Sequence, residues 1–266
     1  MKHLLSQWRS LAQDSSAKKK ILFLDFDGTL AKIVKQPQKA KLHPKIRLLL
    51  RKIAQDRKYR LAIISGRALE DVKNKVGIKD IVYAGNHGLE IEGPKIGFIS
   101  PRLDKFKLTL RRLKAKLKKE LGLIKGVLIE DKGLSLSVHY RLVKKRGLAP
   151  FKAAFAGVTA EYAAGNKIKI RPGKKVFEIR PPVRWDKGKV VLWLLARRQF
   201  SFKGEDSIVV YIGDDLTDED AFRALAGKAV TAAVGRRKDS AAGYYLNNVG
   251  EVERFLKMLN SPPEGE

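Results

Sequence analysis

The amino-acid sequence predicts an α/β protein: a doubly wound core with a parallel sheet, interrupted by an inserted α+β segment. Short, continuously apolar runs alternate with helical patterns at both ends of the chain, which is typical of strands buried on both faces of a parallel sheet. Between residues 100 and 181 this rhythm changes to a long helix followed by alternating strands. We therefore expect a core of residues 21–99 and 182–266, an inserted unit over 100–181, and an N-terminal extension over 1–20.

The core elements follow from apolar periodicity. Residues 21–25 form an apolar run that ends in an acid, as expected for a buried strand that leads to a ligand-binding edge. The first half of the core continues with a helix at 46–55, a strand at 61–64, a helix at 69–76 and a strand at 81–84. The second half predicts a helix at 189–198, a strand at 207–212, a helix at 218–225, a strand at 229–234 and a helix at 252–259.

The inserted segment has a different pattern. Apolar residues recur every three to four positions between 106 and 121, which predicts an amphipathic helix. Strands at 127–130 and 134–141 are joined by a tight turn at Asp131–Gly133. A helix at 150–164 and strands at 168–170 and 176–180 complete the segment.

The composition limits the chemistry. With 266 residues, of which 44% are hydrophobic and 32% charged, the chain can bury a core. The absence of cysteine excludes disulfide scaffolds, cysteine-bound zinc, iron–sulfur clusters and thiol nucleophiles, so any metal must be bound by oxygen or imidazole. The first residues lack the apolar run of a signal peptide, and no apolar stretch is long enough to span a bilayer. We expect a soluble, cytoplasmic protein without a membrane partner.

The positive charge is unevenly distributed. The chain has 56 basic and 28 acidic residues, a net charge of 56 − 28 = +28. Residues 182–266 carry 13 of each sign, residues 100–181 carry 22 − 6 = +16, and residues 1–99 carry 21 − 9 = +12. This shift indicates a domain boundary near Pro182. A basic surface also raises the alternative of a nucleic-acid-binding protein, but the chain has no recognised nucleic-acid motif.

Four short motifs place chemically active residues at strand ends or helix starts. Asp25–Thr29 follows the first buried strand, and Ser65–Arg67 follows the second, where a hydroxyl and free backbone N–H groups suit a phosphate. Gly213–Asp220 follows a later strand with more acids than helix capping requires, although Thr217 or Asp218 is expected to cap the next helix. Clustered carboxylates favour Mg²⁺. Lys187 opens a helix and offers a cation to the same edge.

In chain order, with Lys187 third and Gly213–Asp220 last, the four motifs resemble those of the haloacid dehalogenase (HAD) superfamily of aspartate-nucleophile phosphatases, in which an insert between the second and third motifs is a cap. The segments DFDGTL at 25–30, GNHG at 85–88, EDKGLSLSVHYR at 130–141, FEIRP at 177–181 and GDDLTDEDAF at 213–222 are similar to those of the trehalose-6-phosphate phosphatase family. The resemblance covers nearly everything from Ile21 to Leu259 and implies a HAD-like fold and a Mg²⁺-dependent sugar phosphatase.

The resemblance also implies residue roles. Asp25 would be the nucleophile and Asp27 the general acid and base, while Ser65, Gly66 and Lys187 would bind phosphate. Mg²⁺ would be held by Asp25, the main-chain carbonyl of Asp27, and Asp214, with Asp215 and Asp218 orienting those ligands. Substrate recognition would fall to Arg67 and to three residues of the inserted unit: Glu130, Lys132 and Glu178.

Several alternatives stay open at this point. Related capped phosphatases act on sucrose-6-phosphate, mannosyl-3-phosphoglycerate or sugar mutase substrates, so the sugar is not decided by the motifs. His139 and Arg141 share a polar strand face and would either contact substrate or bond within the inserted unit. His87 has no assigned role. We expect a monomer whose partner is a small sugar phosphate and not a specific nucleic acid.

Overall fold

The structure is a computed structural model that describes residues 1–13, 19–34, 36–99, 103–183, 185–202 and 205–260. The chain divides into two compact units. Unit 1 comprises Met1–Phe98 and Trp185–Glu266, and unit 2 comprises Ile99–Arg184. The functional assignment of these segments as a catalytic core and a cap stays a prediction. Among the helices of the described residues, none combines the length and apolar character needed to cross a bilayer.

A single mixed sheet organises unit 1. Its strands are β1 (Lys2–His3), β2 (Lys19–Leu24), β3 (Tyr59–Ile64), β4 (Val82–Gly85), β5 (Glu90–Gly93), β6 (Ile96–Ile99), β11 (Ser207–Gly213), β12 (Val230–Val234) and β13 (Tyr244–Leu246). Their order across the sheet is β1-β13-β12-β11-β2-β3-β4-β5-β6. In this spatial order, every neighbouring pair from β1 through β13, β12, β11, β2 and β3 to β4 is parallel. Strand β5 pairs antiparallel with β4. The short strands β5 and β6, which the sequence pattern did not indicate, extend the parallel sheet at one edge.

Helices cover both faces of this sheet, which confirms the predicted α/β class. They are α1 (Leu4–Gln13), α2 (Pro44–Gln55), α3 (Leu69–Val76), α6 (Lys187–Leu195), α7 (Asp218–Ala224) and α8 (Val249–Asn260). Leu22 and Leu24 of β2 pack into the apolar cluster that contains residues of α1, α2, α3 and α8. Ile21 and Phe23 pack into the cluster that contains residues of α6 and α7. Because successive side chains of β2 are buried on opposite faces, the strand has an uninterrupted apolar sequence.

The N-terminal residues depart from the predicted extension. Residues 1–13 contribute β1 and α1, and Lys19 and Lys20 already belong to β2. Leu4 and Trp8 lie four residues apart and are both buried, and Trp8 packs edge-on against Phe255 of α8 with ring centroids 4.8 Å apart. This segment is therefore part of the fold of unit 1. Leu5, Leu11 and Ala12 pack against the same apolar cluster, so the helical spacing of apolar residues was a signal that the predicted extension overlooked.

Unit 2 is a four-stranded sheet packed against two helices. Its elements are α4 (Leu103–Leu121), β7 (Leu128–Asp131), β8 (Leu136–His139), α5 (Leu148–Ala164), β9 (Lys169–Gly173) and β10 (Val176–Arg180). The strand order is β7-β8-β10-β9, and every neighbouring pair is antiparallel. Leu136, Val138 and Ile179 face the apolar cluster beneath α4 and α5. The opposite face of the sheet carries the polar side chains.

Candidate active site

The first motif forms a tight loop at the carboxyl end of β2. Asp25 is buried, and its backbone N–H donates to the carbonyl of Ile212 on the neighbouring strand at 3.0 Å. Two further bonds close the loop, from Gly28 N–H to the Ala31 carbonyl at 2.7 Å and from Ala31 N–H to the Phe26 carbonyl at 2.8 Å. Phe26 is fully buried and anchors the loop in the core. The Asp25 side chain is thereby held at the sheet edge.

Gly28 allows a second acid to approach this loop. Its φ is +86°, and a Cβ at this position would lie 2.1 Å from Oδ2 of Asp214. Any side chain here would therefore collide with the Asp214 carboxylate and would also adopt a disfavoured backbone conformation. The glycine of the first motif is required for the close approach of the two acidic loops.

Lys187 connects the two acidic loops. It is the first residue of α6, and only 1% of its surface is exposed. Its Nζ donates to Oδ1 of Asp25 at 2.8 Å and to Oδ1 of Asp218 at 2.7 Å. Burial alone would lower the pKa of Lys187, but the charges of Asp218 and Asp25 raise it well above its usual value. The ammonium group is a permanent positive charge beside Asp25.

Asp218 accepts hydrogen bonds on both carboxylate oxygens. Besides Lys187, Oδ1 accepts from the Tyr211 hydroxyl at 2.6 Å. Oδ2 accepts from the backbone N–H groups of Asp214 and Asp215, each at 3.0 Å. Asp218 therefore fixes the loop that carries Asp214. The fully buried Tyr211 was not identified from the sequence, although a hydroxyl in an otherwise apolar strand needs a buried partner.

The start of α7 differs from the expected capping pattern. Thr217 occupies the capping position, but its side chain accepts no hydrogen bond from the helix. Instead, Oδ1 of Asp215 accepts from the Thr217 N–H at 2.7 Å, from the Thr217 hydroxyl at 2.6 Å and from the Asp218 N–H at 3.2 Å. The expected cap by Thr217 or Asp218 was wrong because the Asp218 carboxylate is turned inward to Lys187. Asp215, three residues earlier, performs the task.

Three carboxylates converge at this edge of the sheet. Asp25, Asp214 and Asp218 each place an oxygen within 4.8 Å of the others. Burial and the charges of Asp218 and Asp215 raise the pKa of Asp214 to about 8. Burial likewise raises the pKa of Asp25, against the lowering effect of Lys187. The cluster has more negative charge than one lysine balances, which is the condition under which acids hold protons or a cation.

The Ser65–Arg67 loop follows β3 at the same edge of the sheet. Ser65 is buried, its N–H donates to the Ala84 carbonyl at 2.9 Å, and its Oγ accepts from the Arg67 N–H at 3.2 Å. A Cβ on Gly66 would lie 2.5 Å from the His87 ring. Because the imidazole packs against this glycine, the residue at position 66 must lack a side chain.

The Asn86–Gly88 turn is hydrogen-bonded to the backbone of the Ser65–Arg67 loop. The His87 N–H donates to the Ser65 carbonyl at 2.9 Å, and the Asn86 N–H donates to the Arg67 carbonyl at 2.6 Å. His87 adopts a left-handed φ of +56°, an unfavourable conformation for a residue with a side chain. His87 is thus a structural neighbour of the candidate phosphate loop, a role that its isolated position in the sequence did not indicate.

Arg67 binds the second acid of the first motif. Its Nε donates to Oδ2 of Asp27 at 2.7 Å and its Nη2 to Oδ1 at 2.7 Å, which is a bidentate pair. Nη1 donates to Asp71 at 2.7 Å, and Nη2 also donates to the Pro37 carbonyl at 2.8 Å. The guanidinium is buried, whereas the Asp27 carboxylate is partly exposed. The Asp27 carboxylate is therefore held by Arg67, whereas Lys187 binds Asp25.

The polar sheet face of unit 2 brings together its three predicted recognition residues. Glu130 and Glu178 both pair in register with Ser137 of the strand between them. Lys132 Nζ donates to Oε1 of Glu178 at 3.3 Å, and Nε of Arg180 donates to Oε2 of Glu178 at 2.9 Å. We call Glu130, Lys132, His139, Glu178 and Arg180 the charged row.

His139 lies on the same face and pairs with Glu130. Its Nε2 lies 2.8 Å from Oε2 of Glu130. Outside the row, Asp131 closes the hairpin turn by accepting from the Gly133 N–H at 2.8 Å and pairs with Lys114 of α4 at 2.7 Å. Arg141 Nη2 donates to the Lys174 carbonyl at 2.8 Å. His139 therefore has an ionic partner in the charged row, whereas Asp131 and Arg141 bind backbone groups of the turns.

Comparison with known proteins identifies the family. The family model described as trehalose-phosphatase matches residues 23–249, a range that includes the four motifs of unit 1 and the charged row of unit 2. The chain belongs to the trehalose-phosphatase family. The family includes proteins that resemble this chain over almost its whole length.

Two curated members of the trehalose-phosphatase family are from plants. Probable trehalose-phosphate phosphatase 4 of Oryza sativa subsp. japonica is 36% identical over 261 residues, which is 96% of this chain and 70% of the relative. Trehalose-phosphate phosphatase B of Arabidopsis thaliana is 33% identical over 270 residues, with the same coverage of 96% and 70%.

A solved structure supports the same fold. The C-terminal domain of the C. albicans trehalose-6-phosphate phosphatase superposes with a TM-score of 0.81 at 23% identity, and the match covers 97% of this chain and 98% of that one. At this identity the likeness shows the fold alone. It confirms the HAD-like α/β architecture expected for a member of the trehalose-phosphatase family.

Proposed function

We propose that this enzyme hydrolyses trehalose 6-phosphate to trehalose and inorganic phosphate through an aspartyl-phosphate on Asp25. The observation that carries the proposal is the buried Asp25 carboxylate held 2.8 Å from the Lys187 ammonium at the carboxyl end of β2. An acid anchored by backbone on one side and by a permanent cation on the other is positioned to attack a bound phosphate.

In the first step, an Asp25 oxygen forms a bond to phosphorus as the bond from phosphorus to the sugar oxygen breaks. The departing oxygen takes a proton from Asp27 and leaves as the free sugar. In the second step, Asp27 takes a proton from water, whose oxygen attacks phosphorus and releases inorganic phosphate and the Asp25 carboxylate. The covalent intermediate divides one difficult displacement into two easier ones.

The Asp27–Arg67 pair adds a constraint to this sequence of steps. Both Asp27 oxygens accept hydrogen bonds from the Arg67 guanidinium at 2.7 Å, so both are occupied as acceptors in this arrangement. A general acid must carry a proton, so Asp27 must leave Arg67 before it can donate. We assign Arg67 the role of holding Asp27 before substrate binds, in addition to the substrate contact expected from the family resemblance.

The phosphate would be bound by Ser65, Gly66 and Lys187. The Ser65 hydroxyl and the Gly66 N–H lie in a loop whose backbone donates a hydrogen bond to the Ala84 carbonyl and accepts hydrogen bonds from the Asn86–Gly88 turn. Lys187 offers the positive charge that stabilises the transferring phosphoryl group. The glycine at 66 is compatible with close approach of an anion to backbone.

The acidic cluster fits a Mg²⁺ ion. Three carboxylates within 4.8 Å of one another, with the raised pKa of Asp214, are a hard oxygen donor set that has excess negative charge. The Asp25 and Asp214 carboxylates and the main-chain carbonyl of Asp27 would hold the ion, whereas Asp218 is occupied by Lys187, Tyr211 and two backbone amides. When bound, Mg²⁺ would neutralise negative charge on the phosphate and help to orient it.

Sugar recognition would belong to the charged row of unit 2. Glu130, Lys132 and Glu178 offer carboxylate acceptors and an ammonium donor on one sheet face, a combination that suits the hydroxyl groups of a sugar. Because each of these groups is already held by a neighbour in the row, little ordering is needed when a ligand binds.

The proposal is tested by phosphate release from trehalose 6-phosphate, sucrose 6-phosphate and mannosyl-3-phosphoglycerate in the presence of Mg²⁺. We expect the highest kcat/KM for trehalose 6-phosphate, and a loss of about 10⁴-fold or more in Asp25→Asn. Asp239→Asn, an exposed aspartate outside the cluster, is the matched control. Equal turnover of all three sugars would overturn the trehalose assignment. An active Asp25→Asn would overturn the mechanism.

A further inference from the structure

Two surface turns of unit 2 point leucine side chains into solvent. One turn follows α4 at residues 122–127, and the other follows β8 at residues 140–147. Leu123 in the first turn is 95% exposed, and Leu142 in the second is 56% exposed. Leu123 has the largest exposed fraction among the large hydrophobic side chains of the described residues. Exposed aliphatic side chains grouped on neighbouring turns are typical of an interaction surface.

The outward direction of both leucines is determined by the backbone. In the first turn, Ile124 follows Leu123 and packs against the apolar cluster of unit 2. In the second, Val143 follows Leu142 and is buried. Hydrogen bonds hold each turn, from the Ile124 N–H to the Leu121 carbonyl at 3.0 Å and from the Val143 N–H to the Tyr140 carbonyl at 3.2 Å. Since one aliphatic residue of each pair fills the core, the other must face solvent.

The two turns lie side by side. A Cβ on Gly126 would lie 2.3 Å from the Leu142 carbonyl oxygen, and a Cβ on Gly147 would lie 3.9 Å from Cγ2 of Ile124. Gly126 has a φ of +98°, so this close contact also requires glycine for conformational reasons. The two exposed leucines therefore lie on adjacent turns of unit 2.

Positive charge surrounds this apolar surface. Seven exposed basic side chains lie within residues 118–128 and 141–147: Lys118, Lys119, Lys125, Arg141, Lys144, Lys145 and Arg146. Glu120 is the only acidic residue in these two segments. We call the two leucines and these seven cations the apolar–basic tip. The candidate catalytic chemistry uses none of its residues, so its charge needs another explanation.

We propose that the apolar–basic tip docks the protein on a lipid bilayer surface that contains anionic phospholipids. Exposed aliphatic side chains can enter the boundary between headgroups and acyl chains, while surrounding lysines and arginines bind the headgroup phosphates and carboxylates. A nucleic acid would use the cations but not the leucines, and the two segments contain no aromatic residue on which a base could stack. Surface docking needs no membrane-spanning helix. The proposal replaces the expectation of no membrane partner, which rested on the absence of a spanning or signal segment.

The natural absence of cysteine permits a site-specific test on the full chain. Leu123→Cys, labelled with an environment-sensitive fluorophore, is mixed with vesicles of phosphatidylcholine alone or of equal parts phosphatidylcholine and phosphatidylserine. We expect a blue shift and increased emission only with the anionic vesicles. Leu48→Cys, at a position 54% exposed on α2 of unit 1, is the matched control and should not respond. No response at position 123 would overturn the proposal.

Vesicle co-sedimentation separates the two contributions. Lys144→Gln with Lys145→Gln should weaken partitioning about fivefold for each lysine, and Leu123→Ser with Leu142→Ser should weaken it about tenfold or more. The matched controls are Lys45→Gln with Arg51→Gln, and Leu48→Ser with Leu192→Ser, all at exposed positions in unit 1. Unchanged thermal midpoints verify that the variants are folded.

Two outcomes would overturn lipid docking even if the tip binds polyanions. In one, the leucine variants partition like the wild type, so that no apolar side chain enters the bilayer. In the other, duplex DNA binds more tightly than the anionic vesicles at the same salt concentration and is insensitive to the leucine variants, which would assign the tip to nucleic acid. Loss of vesicle binding in both pairs of tip variants, but in neither control pair, supports the proposal.

Discussion

Two groups of charged side chains in this molecule are built in opposite ways. In unit 1, Asp25, Asp218 and Lys187 are almost inaccessible to solvent and are joined by contacts of 2.7 and 2.8 Å. In unit 2, the side chains of Glu130 and Glu178 are 17% and 16% exposed on the polar sheet face and pair with His139 and Lys132. The first group is ordered by backbone loops at strand ends, and the second by sheet register.

The difference has energetic and functional consequences. Buried charges are costly unless all partners are present, so the unit 1 group should tolerate no substitution. The pairs of the unit 2 row lie on the sheet face opposite the apolar cluster and retain some solvent contact, so we expect a substitution there to cost less stability than one in unit 1. We infer that the catalytic chemistry resides in the buried charged group of unit 1, where substitutions are costly. We infer that substrate choice resides in the charged row of unit 2, where substitutions cost less.

Lys187→Met should produce the largest effect and tests the rigidity of the unit 1 group. The variant leaves the buried Asp25 and Asp218 carboxylates without their cation, so we expect the free energy of unfolding to fall by about 3–5 kcal/mol. Loss of charge stabilisation at the transferring phosphoryl group should lower kcat by about 10³-fold. Denaturant unfolding and phosphate release measure the two effects.

A second variant and a control sharpen this result. Lys187→Met combined with Asp218→Asn removes one uncompensated charge and should recover part of the stability without recovering activity. Lys189→Met, two residues later in α6, removes an exposed lysine that lies 3.8 Å from Asp186 and should change stability by less than about 0.5 kcal/mol. Wild-type stability of Lys187→Met would contradict the contrast between the two groups.

The next effect concerns pH and the acidic cluster. Burial and the neighbouring charges of Asp218 and Asp215 raise the pKa of Asp214 to about 8, above its unfolded value of about 4. Because the folded, metal-free protein holds this proton more tightly than the unfolded chain, the contribution of Asp214 to stability is fully present below about pH 4 and is lost as the pH rises toward 8. Mg²⁺ must displace the proton below pH 8, so its apparent affinity should weaken by about tenfold for each pH unit.

Thermal unfolding measures this linkage. With EDTA present, the part of the thermal midpoint that depends on Asp214 should decrease from pH 6 to pH 8. The increase in midpoint on addition of Mg²⁺ should be larger at pH 8 than at pH 6. Asp214→Asn should flatten both dependences, whereas Asp239→Asn should retain them. An equal Mg²⁺ affinity at the two pH values would show that Asp214 does not hold a proton in the metal-free protein.

The sequence predicted the unit 1 group better than its surroundings. Asp25, Ser65 and Asp214 each follow a continuously apolar strand, and parallel strands bring such positions to one edge. The partners of these residues were harder to predict. Tyr211 and Asp218 are bonded because a strand residue and a helix residue converge in space, and periodicity does not report that contact.

Two further features show the same limit. Arg67 and Asp27 are 40 positions apart, and their pairing depends on the conformation of two loops that carry no repeating pattern. The α1 segment was not predicted as a helix although Leu4, Trp8 and Leu11 recur at helical spacing, and β5, with four residues, is too short for its alternation to indicate a strand. In unit 2, alternation placed Glu178 on the polar face, but only register reveals that it lies beside Lys132.

Glu178→Gln tests the variable group and should have a moderate effect. Removing the charge weakens the contacts of Glu178 with Lys132 and Arg180 and the acceptor that we propose for a sugar hydroxyl. We expect KM for trehalose 6-phosphate to rise about tenfold with kcat little changed, and stability to fall by about 1 kcal/mol. Glu161→Gln, an exposed glutamate on α5, is the control. A loss of kcat without a change in KM would place Glu178 in the chemistry and erase the division of labour.

The smallest effect is expected at His139, which tests whether positions within the row depend on one another. Its Nε2 lies 2.8 Å from Oε2 of Glu130, so it orients that carboxylate without needing to touch substrate. His139→Leu should raise KM about threefold, the size expected for loss of one partly exposed polar pair, and leave kcat unchanged. His139→Gln can still donate a hydrogen bond to Glu130 and should restore KM. If the leucine and glutamine variants have the same KM, the pair serves the sheet alone, and each recognition residue of unit 2 is positioned independently of its neighbours.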